Sequence, residues 1–198
     1  MARWLTRRRK PLDTLMIRYP RRFCLLVLSG LILGSCGVSV KPDNLVPNVT
    51  ARTLLPEQSP LRHAVSIAAS NNSRIDKPVY GASISSMDIA DALTQTLAAH
   101  DMLAESEGAY ALSANVVNID APIGGLDYKV TATLRYTLTR IKDNAVIMDE
   151  AVTSAYTAAY GDAFMGNERE RLAYEGAIRA NLATFMEKLV AAFHKPPH

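Results

Sequence analysis

Cysteine is scarce in this chain, with two among 198 residues. They could make one bridge at most, so a disulfide framework is excluded and the fold must stand on its own core. Long apolar runs are missing too. The most hydrophobic stretch, Phe23 to Leu33, is about eleven residues, well short of the roughly 20 a membrane-spanning helix needs. No H-E-x-x-H, C-x-x-C or paired-histidine spacing occurs, which removes the common zinc patterns. Gly81-Ala82-Ser83-Ile84-Ser85 ends in Ser where a nucleophile elbow has Gly. Gly124-Gly125 lacks the Lys-Ser/Thr and the helix start of a phosphate loop. The repeating hexapeptide of a β-helix acyltransferase is absent, and the four histidines are scattered. The chain is expected to be no enzyme and to need neither metal nor cofactor.

What is present begins with Phe23 to Gly37, FCLLVLSGLILGSCG, preceded by eight Lys or Arg. A basic region, a short apolar run and a small-residue cleavage site make a secretory signal. The tetrapeptide Leu33-Gly34-Ser35-Cys36 resembles the lipobox of bacterial lipoproteins. That resemblance implies cleavage between Ser35 and Cys36, a diacylglyceryl thioether on Cys36 and an acyl group such as palmitate on its freed amine. Each buried methylene contributes about 0.8 kcal/mol, so two or more chains anchor stably where one is marginal. Gly37, rather than Asp, after the cysteine implies by the same resemblance the outer membrane, with the protein facing the periplasm.

Cleavage reverses the charge balance. The full chain is +3, but residues 1–35 carry eight Lys/Arg and one Asp, leaving 14 Lys/Arg against 18 Asp/Glu from Cys36 onward. A nucleic-acid partner needs a basic footprint to neutralise phosphates, and the mature chain has none. Cys24 leaves with the signal and Cys36 is acylated, so no thiol pair remains.

Residues 36–60 hold four of the ten prolines (Pro42, Pro47, Pro56, Pro60) without a sustained helix or strand period. They read as a semi-rigid linker after the lipidated end, with Leu54 and Leu55 able to pack on the domain. A domain over 61–195 follows. Its first strand is expected over His63–Ala69. Ser85 and Asp88 stand at capping-box spacing ahead of a helix whose stripe is Ile89, Ala92, Leu93, Thr96 and Leu97. Ala109–Ala121 alternates, then changes phase, which calls for a bulge near Val116–Asn118. Tyr128, Val130, Ala132, Leu134, Tyr136 and Leu138 alternate with Lys129, Thr131, Thr133, Arg135, Thr137 and Thr139, marking a strand with one buried and one open face. A fourth strand runs from about Val146 to Thr157, with Asp149 and Glu150 on opposite faces and therefore no carboxylate dyad. Asn167, with Glu170 three residues on, predicts the cap of a long closing helix. That helix carries Leu172, Ala177, Ile178, Leu182, Phe185, Met186, Leu189 and Phe193, and ends at Pro196-Pro197. Within it Glu175 and Arg179 are spaced for an i,i+4 pair. Gly176 at mid-helix points to close approach to the sheet.

The order β-α-β-β-β-α predicts an α+β two-layer sandwich: a mostly antiparallel four-stranded sheet with two helices on one face. Lipobox, proline-bearing linker, element order and closing helix together resemble YajG-type periplasmic lipoproteins. They are more distantly similar to the lipoprotein that plugs the lipopolysaccharide-assembly translocon. The resemblance implies a lipid-anchored accessory protein acting by protein-protein contact in an envelope complex, through means such as strand addition at a sheet edge. The alternative is a binder of an amphipathic envelope molecule such as lipopolysaccharide or another glycolipid. The face of Lys129, Thr131, Thr133, Arg135, Thr137 and Thr139 would then serve it, two cations and four hydroxyls meeting phosphate or sugar oxygens. His63 and the His100–Asp101 pair read as structural.

Overall fold

The computed structural model describes residues 39–68, 84–121 and 124–194, all within one compact unit. Six elements follow in the expected order: β1 (Val65–Ile67), α1 (Ser86–Ala99), β2 (Tyr110–Asp120), β3 (Tyr128–Arg140), β4 (Ala145–Ala158) and α2 (Gly166–His194). The strands form one sheet in the order β1-β2-β3-β4. β1 runs parallel to β2 while β2–β3 and β3–β4 are antiparallel. The helix between β1 and β2 makes that parallel pairing possible, because a parallel connection needs a crossover. The fold is α+β, a four-stranded mostly antiparallel sheet with both helices packed on it.

Local signals hold where they depend on neighbours in sequence. The Ser85 hydroxyl accepts from the Asp88 amide at 3.1 Å and the Asp88 carboxylate accepts from the Ser85 amide at 2.7 Å, a reciprocal capping box. Ile89, Ala92, Leu93, Thr96 and Leu97 are all buried. The β2–β3 register slips between Val116 and Asn118, at the phase change in the sequence. Along β3 the alternation is complete: Tyr128, Val130, Ala132, Leu134, Tyr136 and Leu138 are buried under α2, and the six intervening residues are not. A Cβ on Gly176 would overlap the ring of Tyr156 on β4, which explains the glycine inside α2.

Four expectations are corrected. β1 is only three residues long, because His63 adopts a left-handed φ of 50° and so cannot continue the strand, while Ala69 lies outside the described residues. α2 begins at Gly166, so Asn167 sits in its first turn; its side-chain oxygen accepts from the adjacent Glu168 amide at 2.9 Å. Glu175 does not pair with Arg179 but with Arg171, at 2.7 Å. The largest difference concerns the linker. From Val40 onward the chain is part of the domain: Val40, Leu45, Thr53 and Leu61 are buried, and Leu55 packs against the core. Pro42 opens a 3-10 turn over Pro42–Leu45, where its fixed φ is an advantage and its missing amide donor no loss. The buried Glu175 carboxylate accepts from the Lys41 amide at 3.1 Å and the Asn44 side-chain amide at 2.9 Å as well as from Arg171. Arg179 donates to the Asn44 carbonyl oxygen. A buried carboxylate is tolerated when donors surround it, and here those donors bind Lys41 and Asn44 to the closing helix. Pro196-Pro197, expected to stop α2, lie outside the described residues.

Candidate functional site

Ser35 and Cys36, the expected cleavage and lipidation site, lie outside the described residues. Among the described residues, Val40 is the first buried side chain, four residues beyond Cys36.

The open face of β3 is the other expected site, and the structure does bring its residues into one row. Lys129 and Arg135 are exposed, with Thr131, Thr133, Thr137 and Thr139 half-buried between their neighbours. Their chemistry is largely turned toward the sheet itself. Arg135 makes a two-pronged pair with Asp149 of β4, its Nε at 2.7 Å from Oδ1 and a terminal nitrogen on Oδ2. Thr137 donates weakly to the same carboxylate, and the Thr133 and Thr153 hydroxyls are 2.9 Å apart across the strands. The hydrogen bond from Arg135, followed by its charge, holds the Asp149 carboxyl below the usual carboxylate range. An anion approaching this row therefore meets one neutralised cation, with Lys129 remaining at the far end. Glu150, on the other face, is 2.9 Å from Lys188 of α2, so the two adjacent carboxylates do point apart. His100 closes α1 with Nδ1 2.7 Å from the Thr96 carbonyl oxygen and Nε2 3.0 Å from the Thr53 hydroxyl; Asp101 pairs instead with Arg62. Both are structural. Among the described residues, no group of three or more His, Cys, Asp or Glu is placed to hold a metal ion.

Two surfaces are available for contact. The first is the outer edge of β4. This strand runs 14 residues and pairs on one side only, with β3, among the described residues. It contains no proline, glycine or lysine, and its only charges are Asp149 and Glu150. Sheet edges left open in soluble proteins are usually short or guarded by charge and proline, because unpaired amides and carbonyls template another strand. Besides those two carboxylates, the edge is interrupted by an extra residue, Ile147, where the β3–β4 register slips between Leu138 and Thr139. From Met148 to Ala158 the edge is regular.

The second surface is the end of the sandwich where β4 passes into α2. Tyr160, Phe164 and Met165 are 56%, 95% and 59% exposed, and Leu126 of the β2–β3 turn is 71% exposed. This loop is held in place. The Tyr160 amide donates to Asp127 at 2.9 Å, and the Ala159 amide to Asp162 at 2.8 Å. Arg169, almost wholly buried, donates to the carbonyls of Ala163 and Phe164 and lies 5.0 Å from the Tyr160 ring centroid. In sequence, Tyr160–Gly166 is an aromatic-bearing loop between a strand and a helix. A run of Tyr, Phe and Met between two elements, with no period to bury them, was the signal for it.

Sequence reasoning also missed the polar node under the sheet. Asn181 is fully buried, accepts from the Tyr136 hydroxyl at 2.9 Å and donates to the carbonyls of Ala132 and Val152 at 3.0 and 2.8 Å. Burial pushes the Tyr136 hydroxyl's pKa upward, so it remains a donor at any physiological pH. An amide within the apolar stripe of Ile178, Leu182 and Phe185 was the available clue.

Three solved structures similar to this chain come from bacteria. The chain is similar to a protein of Xanthomonas campestris described by the family DUF330: TM-score 0.52 and 15% identity, covering 74% of this chain and 94% of that one. A putative lipoprotein from Caulobacter crescentus gives 0.48 and 12%, covering 68% and 93%. A minor lipoprotein from Acinetobacter baumannii gives 0.38 and 15%, covering 65% and 91%. At 15% identity the likeness to the Xanthomonas protein is one of fold. No family model and no curated protein matches the sequence.

Proposed function

We propose that this protein is a lipid-anchored accessory lipoprotein of the outer membrane that faces the periplasm and works by protein-protein contact in an envelope complex. The anchor is Cys36, acylated after cleavage behind Ser35, as the Leu33–Cys36 tetrapeptide implies. The observation that carries the mode of action is the β4 edge. Eleven regular residues, Met148–Ala158, offer a partner strand its main-chain hydrogen bonds, with alternate side chains setting register. The chemistry is recognition, and no catalytic role is proposed. Glycolipid binding on the open face has less support, because Arg135 is already engaged by Asp149.

The test is recovery of partners from detergent-solubilised envelopes, comparing the natural chain with Ala151→Lys/Ala155→Lys. Both alanines are exposed on the edge strand, so the added charges guard the edge without entering the core. The expected outcome is a membrane-protein partner recovered by the natural chain and lost from the variant, with unchanged circular dichroism. Equal recovery by both would remove the edge from the account, and recovery of no envelope protein would remove the accessory role. Retention of lipopolysaccharide that falls in Lys129→Ala/Arg135→Ala would favour the glycolipid binder instead.

A further inference from the structure

We infer that the exposed tip formed by Leu126, Tyr160, Phe164 and Met165 is a second membrane contact, seated in the interfacial layer of the bilayer that holds the acyl chains. This rests on Cys36 being the anchor, and it adds the orientation of the domain and the residues that meet the lipid.

Three observations converge. The first is direction. The N-terminal segment tracks α2 with increasing residue number: Lys41 and Asn44 meet Glu175, Asn44 meets Arg179, and Arg52 lies 4.0 Å from Glu187. Followed backward from Arg52 to Lys41, the chain climbs toward the first turn of α2, which is where the tip projects.

The second is reach. At 1.5 Å per residue, Glu175 lies about 14 Å along the axis from Gly166 and about 28 Å from His194. The five residues from Cys36 to Lys41 extend at most about 17 Å. At full extension such a tether is long enough for the tip end of the helix and too short for the opposite end, so an acylated Cys36 would keep the tip beside the bilayer.

The third is chemistry. Phe, Met, Leu and Tyr exposed together would be an aggregation hazard at a free surface. At a membrane interface the same set is in place, apolar bodies among the upper acyl carbons and the tyrosine hydroxyl among headgroups. Asp127 and Asp162 spend their carboxylates on loop amides and Arg169 is turned onto loop carbonyls, so apolar area rather than charge drives the contact of Leu126, Tyr160, Phe164 and Met165. Arg169 keeps the loop raised by holding two of its carbonyls, which spares the lipid contact the cost of ordering it.

The only tryptophan, Trp4, precedes Cys36, so the mature chain has no indole and an introduced one reports alone. The experiment uses the full chain, matured in cells, purified and placed in vesicles of phosphatidylethanolamine and phosphatidylglycerol, with or without brominated acyl chains. Phe164→Trp is expected to emit blue-shifted light and to lose intensity to the bromines, and raised salt should leave this unchanged. Leu54→Trp, 59% exposed near the far end of α2, should remain red-emitting and unquenched. A Phe164→Trp protein that floats with vesicles and carries acyl mass, yet whose indole emission ignores the brominated lipid, overturns this inference and leaves the anchor standing. A protein that neither floats nor carries acyl mass overturns both. A blue shift that grows with protein concentration in the absence of vesicles also overturns it, because the tip then meets a second copy.

Discussion

The two faces of β3 are made by the same thirteen residues and obey different rules. On the covered face, Tyr136 stacks on Phe185 with centroids 3.9 Å apart and planes 9° from parallel, and its hydroxyl ends on Asn181. The Tyr136 hydroxyl needs that match, since an unpaired buried group loses its water without recompense. On the open face, hydroxyls and charges pair across strands but have water as an alternative partner, so their pairing contributes little. Polarity that is structural on one side is optional on the other. A candidate binding surface on a strand therefore has to be judged by what its side chains already hold, as Arg135 shows.

The sharpest way to break the comparison is Phe185→Ala. Loss of a fully buried ring stacked on Tyr136 is expected to cost about 3–5 kcal/mol, read as a fall in the urea midpoint. Next comes Asn181→Leu, which keeps the volume and strands the Tyr136 hydroxyl and two carbonyls. A loss of about 2–3 kcal/mol is expected, and Tyr136→Phe in the same chain should restore part of it. The smallest effect belongs to the open face. Arg135→Ala should leave the urea midpoint at neutral pH nearly where it was, while the Asp149 carboxyl, followed by NMR, titrates back toward its ordinary value. The sign follows from its depressed pKa in the folded protein. The pair's small contribution is present above the unfolded value and disappears as pH falls through the folded one, so Arg135→Ala should differ from the natural chain less at acid pH than at neutral pH. An open-face variant as damaging as Asn181→Leu would erase the distinction.

Much of the fold was legible because its causes are local. Ser85 and Asp88 are three residues apart, the β3 alternation is a period of two, and the bulge at Val116–Asn118 announces itself as a change of phase. Gly176 was readable as a close approach though not as an approach to Tyr156. What was missed joins distant residues. Glu175 has a sequence neighbour, Arg179, at ideal spacing, yet its partners Lys41 and Asn44 lie more than a hundred residues away. Proline content made 36–60 look like a spacer, and only the burial of Val40 and Leu45 shows that the segment from Val40 packs on the domain. Lys129 to Thr139 do share the open face of β3 as their alternation implies, but cross-strand register decides what their side chains hold, and Asp149 opposite Thr137 is a matter of pairing rather than composition.

The clasp between Lys41 and Glu175 also sets an order of events. A polypeptide emerging amino end first, from a ribosome or a translocation pore, delivers Val40 and Leu45 long before the helix that shelters them. Those residues must wait through the synthesis or passage of nearly everything else, and the structure closes only when its final element arrives. A chain cut before Glu175 would thus leave Lys41 and Asn44 without their anchor.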